Sequence, residues 1–188
     1  MRYVAVLDAC VLYPALVRNI LLSLAAAGLY RARWSDDIQR EWVDSLLANR
    51  EDLTRTRIER TCAEMARSIP DCLVKNYQPL VDTLELPDAN DRHVLAVAIR
   101  CNAHAIVTAN LADFPKDALA VYDIEVQHPD DFIVNQIDLS TADGMTAIKA
   151  MRARMRNPAY TPSELLAAIE RHQLPQTAAY LRDWQALI

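Results

Sequence analysis

Residues Tyr3 to Leu7 form a short, β-rich apolar run that ends on an acid, Asp8, before Cys10, Val11 and Leu12 resume apolar character. A run of that length and composition is the pattern of a strand buried on both faces of a parallel sheet. A bare carboxylate inside such a core would be costly. Asp8 must therefore stand at the strand's end, where it is solvated, hydrogen-bonded or neutralised by a cation. One position thus constrains fold and chemistry together, because it asks for a parallel sheet with an acid at the carboxyl end of the first strand.

The rest of the chain supplies the strands and crossovers such a sheet needs. Val17 to Ala27 predicts a largely buried helix that Gly28 ends. Leu29 to Trp34 predicts a second strand, and Ser35 or Asp36 caps a helix running to Asn49 with Ile38, Trp42, Val43, Leu46 and Leu47 on one face. A helix over Thr54 to Ser68 is stopped by Pro70. Strand candidates follow at Cys72 to Val74, Ala105 to Thr108 and Val121 to Val126, with a helix over Ala89 to Asn102 between them. Strands separated by helical segments give an α/β fold, a mainly parallel sheet covered by helices on both faces. From Leu139 onward the pattern is helical only, with segments Ala142 to Arg156, Ser163 to His172 and Pro175 to Ala186. The expected division is a sheet domain over 1–138 and an all-helical extension over 139–188.

Composition excludes several function classes. With 188 residues, 52% of them hydrophobic, the chain can bury one substantial core and carry a small appendage. Cys10, Cys62, Cys72 and Cys101 stand singly, without a C-x-x-C pair, and read as reduced core thiols rather than a zinc site or disulfide framework. The longest apolar stretch, Ile20 to Leu29, is well short of the roughly 18 residues a membrane span needs. Asp8 interrupts the only candidate signal peptide, so the expected compartment is the cytoplasm. The chain has 2 glycines, Gly28 and Gly144, too few for a P-loop, a dinucleotide-binding loop or a G-x-S-x-G hydrolase motif. A net charge of -5 argues against a polyanionic partner unless acids gathered around divalent cations turn the site attractive to phosphate.

Ligands of open parallel sheets gather at the carboxyl ends of the strands, and several acids fall there. Asp8 ends the first strand; Asn110 and Asp113 follow the strand AIVT in TANLADF; Asp88 and Asp91 open the helix in PDANDRHVLAVA; Glu41 lies one turn into the helix begun by SDD. Each has a purely structural alternative. Asp88 and Asp91 can be helix caps, Glu41 an exposed helix residue and Asp113 a turn former.

Together, the strand ending in Asp8, Glu41 on the helix after the second strand, D-x-x-D-R-H-V-L-A-x-A at Asp88 to Ala98, and VTANLADF resemble a PIN domain over about Met1 to Asp138. The nearest resemblance is to bacterial PIN ribonucleases of the VapC toxin type, whose C-terminal helical extension also resembles residues 139–188. The resemblance implies a three-layer α/β/α sandwich and a metal-dependent endoribonuclease, the toxin of a toxin-antitoxin pair. It implies Asp8 and Asp91 as primary ligands of Mg²⁺ or Mn²⁺, Glu41 as a ligand or water-orienting base, and Asp113 as the fourth acid. Many family members place an aspartate directly after T-x, where this chain has Asn110, so that either Asn110 or Asp113 completes the set. Asp88 reads as an outer acid or a helix cap, and Thr108 as a residue that holds the site by hydrogen bonds or an ordinary strand residue. An all-oxygen donor set independently favours Mg²⁺ or Mn²⁺ over zinc. The implied partners are RNA, a cognate antitoxin and a second copy of the chain, with no membrane.

Other residues draw attention with less reason. His93 could act as a general base, yet an ordinary hydrogen-bonded histidine is the simpler reading; His104, His128 and His172 share no ligand spacing. Trp34, Trp42 and Trp184 could stack on bases, although Trp42 lies on an apolar helix face. Lys149, Arg152, Arg154 and Arg156 in KAMRARMR could contact RNA backbone or form a solvated face. Two rival functions remain. A catalytically inactive PIN-fold module for RNA or protein binding is favoured by Asn110. An aspartyl phosphatase would need a second acid two residues after Asp8, where Cys10 stands.

Overall fold

The apolar run closes as β1, Val4–Leu7, with Ala5, Val6 and Leu7 inaccessible to solvent. The computed structural model describes residues 2–188, and Met1, the first residue of the expected sheet domain, lies outside the described residues. After the short helix α1, Ala9–Leu12, α2 spans Ala15–Ala26. Gly28, at φ +84°, makes the left-handed turn into β2, Arg31–Arg33, a conformation for which a side chain would be strained. The predicted cap Ser35, and Thr54, which caps the helix expected over Thr54 to Ser68 from just outside its start, fix the next helices. Ser35 Oγ accepts from Ile38 N at 3.2 Å to start α3, Asp36–Asn49, and Thr54 Oγ1 accepts from Arg57 N to start α4, Arg55–Ser68. The short α5, Gln78–Val81, precedes a 3₁₀ turn, Ala89–Asp91, which runs into α6, Arg92–Arg100, and then β3, Ala105–Val107. A second 3₁₀ turn, Leu111–Asp113, and α7, Lys116–Ala120, lead to β4, Glu125–Gln127.

The four strands are parallel in the order β2-β1-β3-β4. The crossover from β1 to β2 and that from β2 to β3 run in opposite directions across the sheet. Right-handed connections therefore place α2 on one face and α6 on the other, and α2 packs on β2 while α6 packs on β1 and β3. Chain direction reverses between β1 and β3, so the crevice at their carboxyl ends is the topological switch point where such sheets bind ligands. Asp8 follows β1 there and Thr108 follows β3.

Two strand expectations are corrected. Cys72 to Val74 contributes only an isolated parallel bridge, Leu73 opposite Trp34, beside β2. Val121 to Asp123 is a turn, with Val121 75% exposed and Asp123 at φ 55°; only Glu125 to Gln127 pairs with β3. Trp34 and Trp42 are buried in the core, which removes them as base-stacking surfaces, whereas Trp184 is partly exposed.

A helix that the apolar pattern does not announce, α8, spans Pro129–Leu139. It is followed by α9, Thr141–Arg154, α10, Pro162–Arg171, and α11, Pro175–Arg182, which stops short of the expected Ala186. α8 and α9 pack on α2, and α11 lies on α8 and α10. Phe132 of α8 meets Tyr30 edge-on, with ring centroids 4.8 Å apart, joining the helices to the sheet's core. Arg154 adds a hydrogen bond to Ser23 Oγ at 3.3 Å. The start of α11 is held by the buried Asp130, whose carboxylate accepts from Thr177 N at 2.7 Å and Gln176 N at 2.9 Å. Replacing Asp130 by alanine leaves two amides unpaired at this helix start, and we expect a loss of about 2 kcal/mol, read as a lower urea midpoint at unchanged m-value.

Candidate active site

Asp8 is 6% exposed, and its carboxylate is aimed by three donors. Ala9 N donates to Oδ1 at 2.6 Å, while Thr108 Oγ1 and the Cys10 thiol donate to Oδ2 at 2.8 and 3.0 Å. Burial, and then the Asp8 charge, push the Cys10 thiol up to about 12, so it stays a neutral S–H donor. The same atoms tie the two strand ends together. Ala109 N donates to Cys10 Sγ at 3.3 Å, and Asn110 N donates to Thr108 Oγ1 at 3.0 Å. The question of how a buried acid is tolerated is thus answered by hydrogen bonding, with Thr108 as the residue that holds it.

Asp91 ends the 3₁₀ turn before α6 and is half-buried, and its side chain caps nothing. Burial first, then the charges of Asp8, Asp113 and Asp88, raise its carboxyl to about 6. Those neighbours are the acids within electrostatic reach of Asp91: Asp8 from the end of β1, Asp113 from the turn after β3, and Asp88 from the same turn before α6. Asp88 is the cap of that turn, accepting from Asn90 N at 2.8 Å, and acts on Asp91 through its charge. Asn110 is exposed and makes no side-chain cap.

Glu41 reaches this group through another residue. Its Oε1 lies 2.8 Å from His93 Nε2, in an ion-pair contact to which the ring N–H is poorly aligned. His93 Nδ1 is buried with no partner among the described residues. Burial lowers the His93 pKa, but the bond to Glu41 and the charges of Glu41, Asp37 and Asp8 outweigh it, and the net shift is upward. His93 is therefore more than an ordinary surface histidine. The clue was its place two residues after Asp91 on the same helix start, but its pairing depends on how α3 and α6 pack.

Among the described residues, none of Asp8, Asp88, Asp91 and Asp113 pairs with a lysine or arginine. No three Asp, Glu, His or Cys side chains among them are drawn close enough to clasp one ion. The four acids offer oxygen donors only, the donor chemistry of a hard divalent cation rather than of zinc. The basic run is split. Arg152 Nη1 donates to Tyr160 O at 2.9 Å and Arg154 to Ser23, while Lys149 and Arg156 are exposed. For an aspartyl phosphatase the position two after Asp8 holds a thiol that donates to it, not an acid.

Residues 4–112 match the PIN domain family, and residues 129–183 match the VapC50 C-terminal domain. A relative from Mycobacterium tuberculosis, named "Putative ribonuclease VapC50", is 47% identical over 92 residues, which cover 49% of this chain and 54% of that protein. The chain thus spans about half the length of the curated relative it matches. No solved structure matches.

Proposed function

The chain belongs to the PIN domain family, and from that premise we propose that it is an endoribonuclease that hydrolyses RNA phosphodiester bonds with Mg²⁺ or Mn²⁺. The observation that carries this reading is the set of uncompensated carboxylates, Asp8, Asp91, Asp113 and Asp88, at the switch point between β1 and β3. Asp8 and Asp91 would hold the ion, with Asp113 as the fourth acid. When bound, such a cation offsets phosphate charge and lowers the pKa of water toward neutrality. Thr108, Cys10 and Ala9 N keep the Asp8 carboxylate in one orientation, so its remaining lone pairs are aimed before substrate arrives. Asp91 gives up its proton near pH 6 to become a ligand. Glu41, in contact with His93, suits the water-orienting base better than a ligand.

The likeness to VapC50 supports a toxin partnered by an antitoxin, with a nuclease unit over 1–138 and a helical unit over 139–188. A homodimer and a cytoplasmic location belong to the same proposal; among the described residues no helix is long and apolar enough to cross a membrane. Asn110, and the engagement of Glu41 by His93, favour the inactive binding module as a second reading. Incubation of cellular RNA with the protein and Mg²⁺ or Mn²⁺ separates the two. Cleavage that chelator abolishes is expected, and intact RNA at saturating metal would leave the binding module.

A further inference from the structure

Two cavities of about 280 and 320 Å³ open beside the carboxyl end of the sheet, and His128 lines both. The first runs from Cys10 and Ala109 to Arg171 and His172 at the end of α10; the second reaches Lys116 at the start of α7. The inner wall of the first cavity adjoins the candidate active site, because the Cys10 thiol that lines it lies 3.0 Å from Asp8 Oδ2. Lys116 and Arg171 are exposed, and among the described residues neither pairs with a carboxylate. His128 Nδ1 accepts from Asp130 N at 3.2 Å, which leaves the proton of the neutral ring on Nε2, free to donate. His172 Nδ1 donates to Ala168 O at 2.8 Å. The carboxylate in this lining, Asp131, receives a hydrogen bond from Gln176, and Asp130 is committed to the start of α11. The positive end of α8 begins at the same wall.

We propose that this groove is a binding track for the sugar-phosphate backbone of single-stranded RNA, in which Lys116, His128 and Arg171 take phosphates on one side of the scissile bond. The inference rests on the ribonuclease reading and extends it. The acidic crevice repels a polyanion, and a chain of net charge -5 needs its cations placed beside that crevice. The track supplies them, and it gives the helical extension a task, since Arg171 belongs to the end of α10. Phosphate contacts position a strand without reading its sequence.

The test uses the full chain carrying Asp91→Asn, so that RNA is bound without being cut, and a fluorescein-labelled single-stranded oligoribonucleotide of mixed sequence. Lys116→Glu with Arg171→Glu is compared with Arg67→Glu with Lys75→Glu, an equal charge change at exposed positions away from the groove. The groove pair is expected to weaken binding about tenfold and to reduce the slope of log Kd against log salt by about 1.4, or ~0.7 for each lost phosphate contact. The control pair is expected to change Kd less than twofold, with all variants melting at the same temperature. Equal weakening in both pairs, beside a wild-type protein that cleaves RNA, overturns the track and leaves the ribonuclease standing. RNA that neither binds nor is cleaved overturns both.

Discussion

Replacing Asp91 by asparagine is expected to make the metal-free protein more stable and to abolish the RNA cleavage proposed for it. The carboxyl is raised to about 6 by burial and by Asp8, Asp113 and Asp88, so at neutral pH its ionised form is held against unfavourable surroundings. Holding the carboxyl at about 6 rather than in the ordinary aspartate range corresponds nominally to about 3 kcal/mol. Asp91 is only half-buried, and solvent screening reduces that figure to about 1 kcal/mol. A folded-state pKa above the unfolded value means that the group favours folding when protonated; this contribution is complete below about pH 4 and is lost as pH rises through about 6. The stability advantage of Asp91→Asn is therefore absent at pH 4 and full at pH 7, as urea unfolding in chelator at the two pH values will show. Divalent cation reverses the order. Wild type gains about 2.7 kcal/mol when the ion is at 100 times its dissociation constant, and the variant gains little. Cleavage falls about a thousandfold, since the amide cannot supply the charge. A variant that cuts RNA like wild type would remove Asp91 from the site.

The features legible in the sequence are those whose physics is local. Asp8 was legible because few arrangements tolerate an acid between two apolar runs, and the Ser35 cap because a hydroxyl and the amide three residues on belong to one turn. The parallel sheet with helices on both faces followed from alternation alone. Other features depend on partners distant in the chain. α8 is diluted by Asp130, Asp131, Asn135, Gln136 and Asp138, and buries Phe132, Ile133 and Ile137 only because α2 and α11 pack around it. Val121 and Tyr122 look like strand residues but point into solvent, because only the segment from Glu125 finds a partner in β3. At the site, Asp88 was undecided from sequence, and the cap to Asn90 N decides its local role. The pairing of Glu41 with His93 joins α3 to α6, and no spacing in either helix encodes it.

Asp8→Ala has the opposite stability sign from Asp91→Asn, although both remove one acid from the same group. Asp8 is buried and accepts three hydrogen bonds, and truncation strands the buried Thr108 hydroxyl together with the partly buried Cys10 thiol and Ala9 N that donate to it. Unpaired buried donors cost about 1–3 kcal/mol each, less whatever the thiol and hydroxyl recover by bonding one another across their 3.3 Å separation. A net loss of about 3 kcal/mol is expected, partly offset because Asp91 loses its nearest like charge. Asp8→Asn keeps the shape and one acceptor oxygen, and should cost only about 1 kcal/mol while abolishing cleavage as fully. The pair thus separates scaffold from chemistry: equal losses of activity with unequal losses of stability. A cycle with Thr108→Val isolates the bond across the strand ends, with an expected coupling of about 1–2 kcal/mol in the absence of metal. Additive single losses would mean that Thr108 does not hold Asp8, and that the acid is kept in place by its own helix turn.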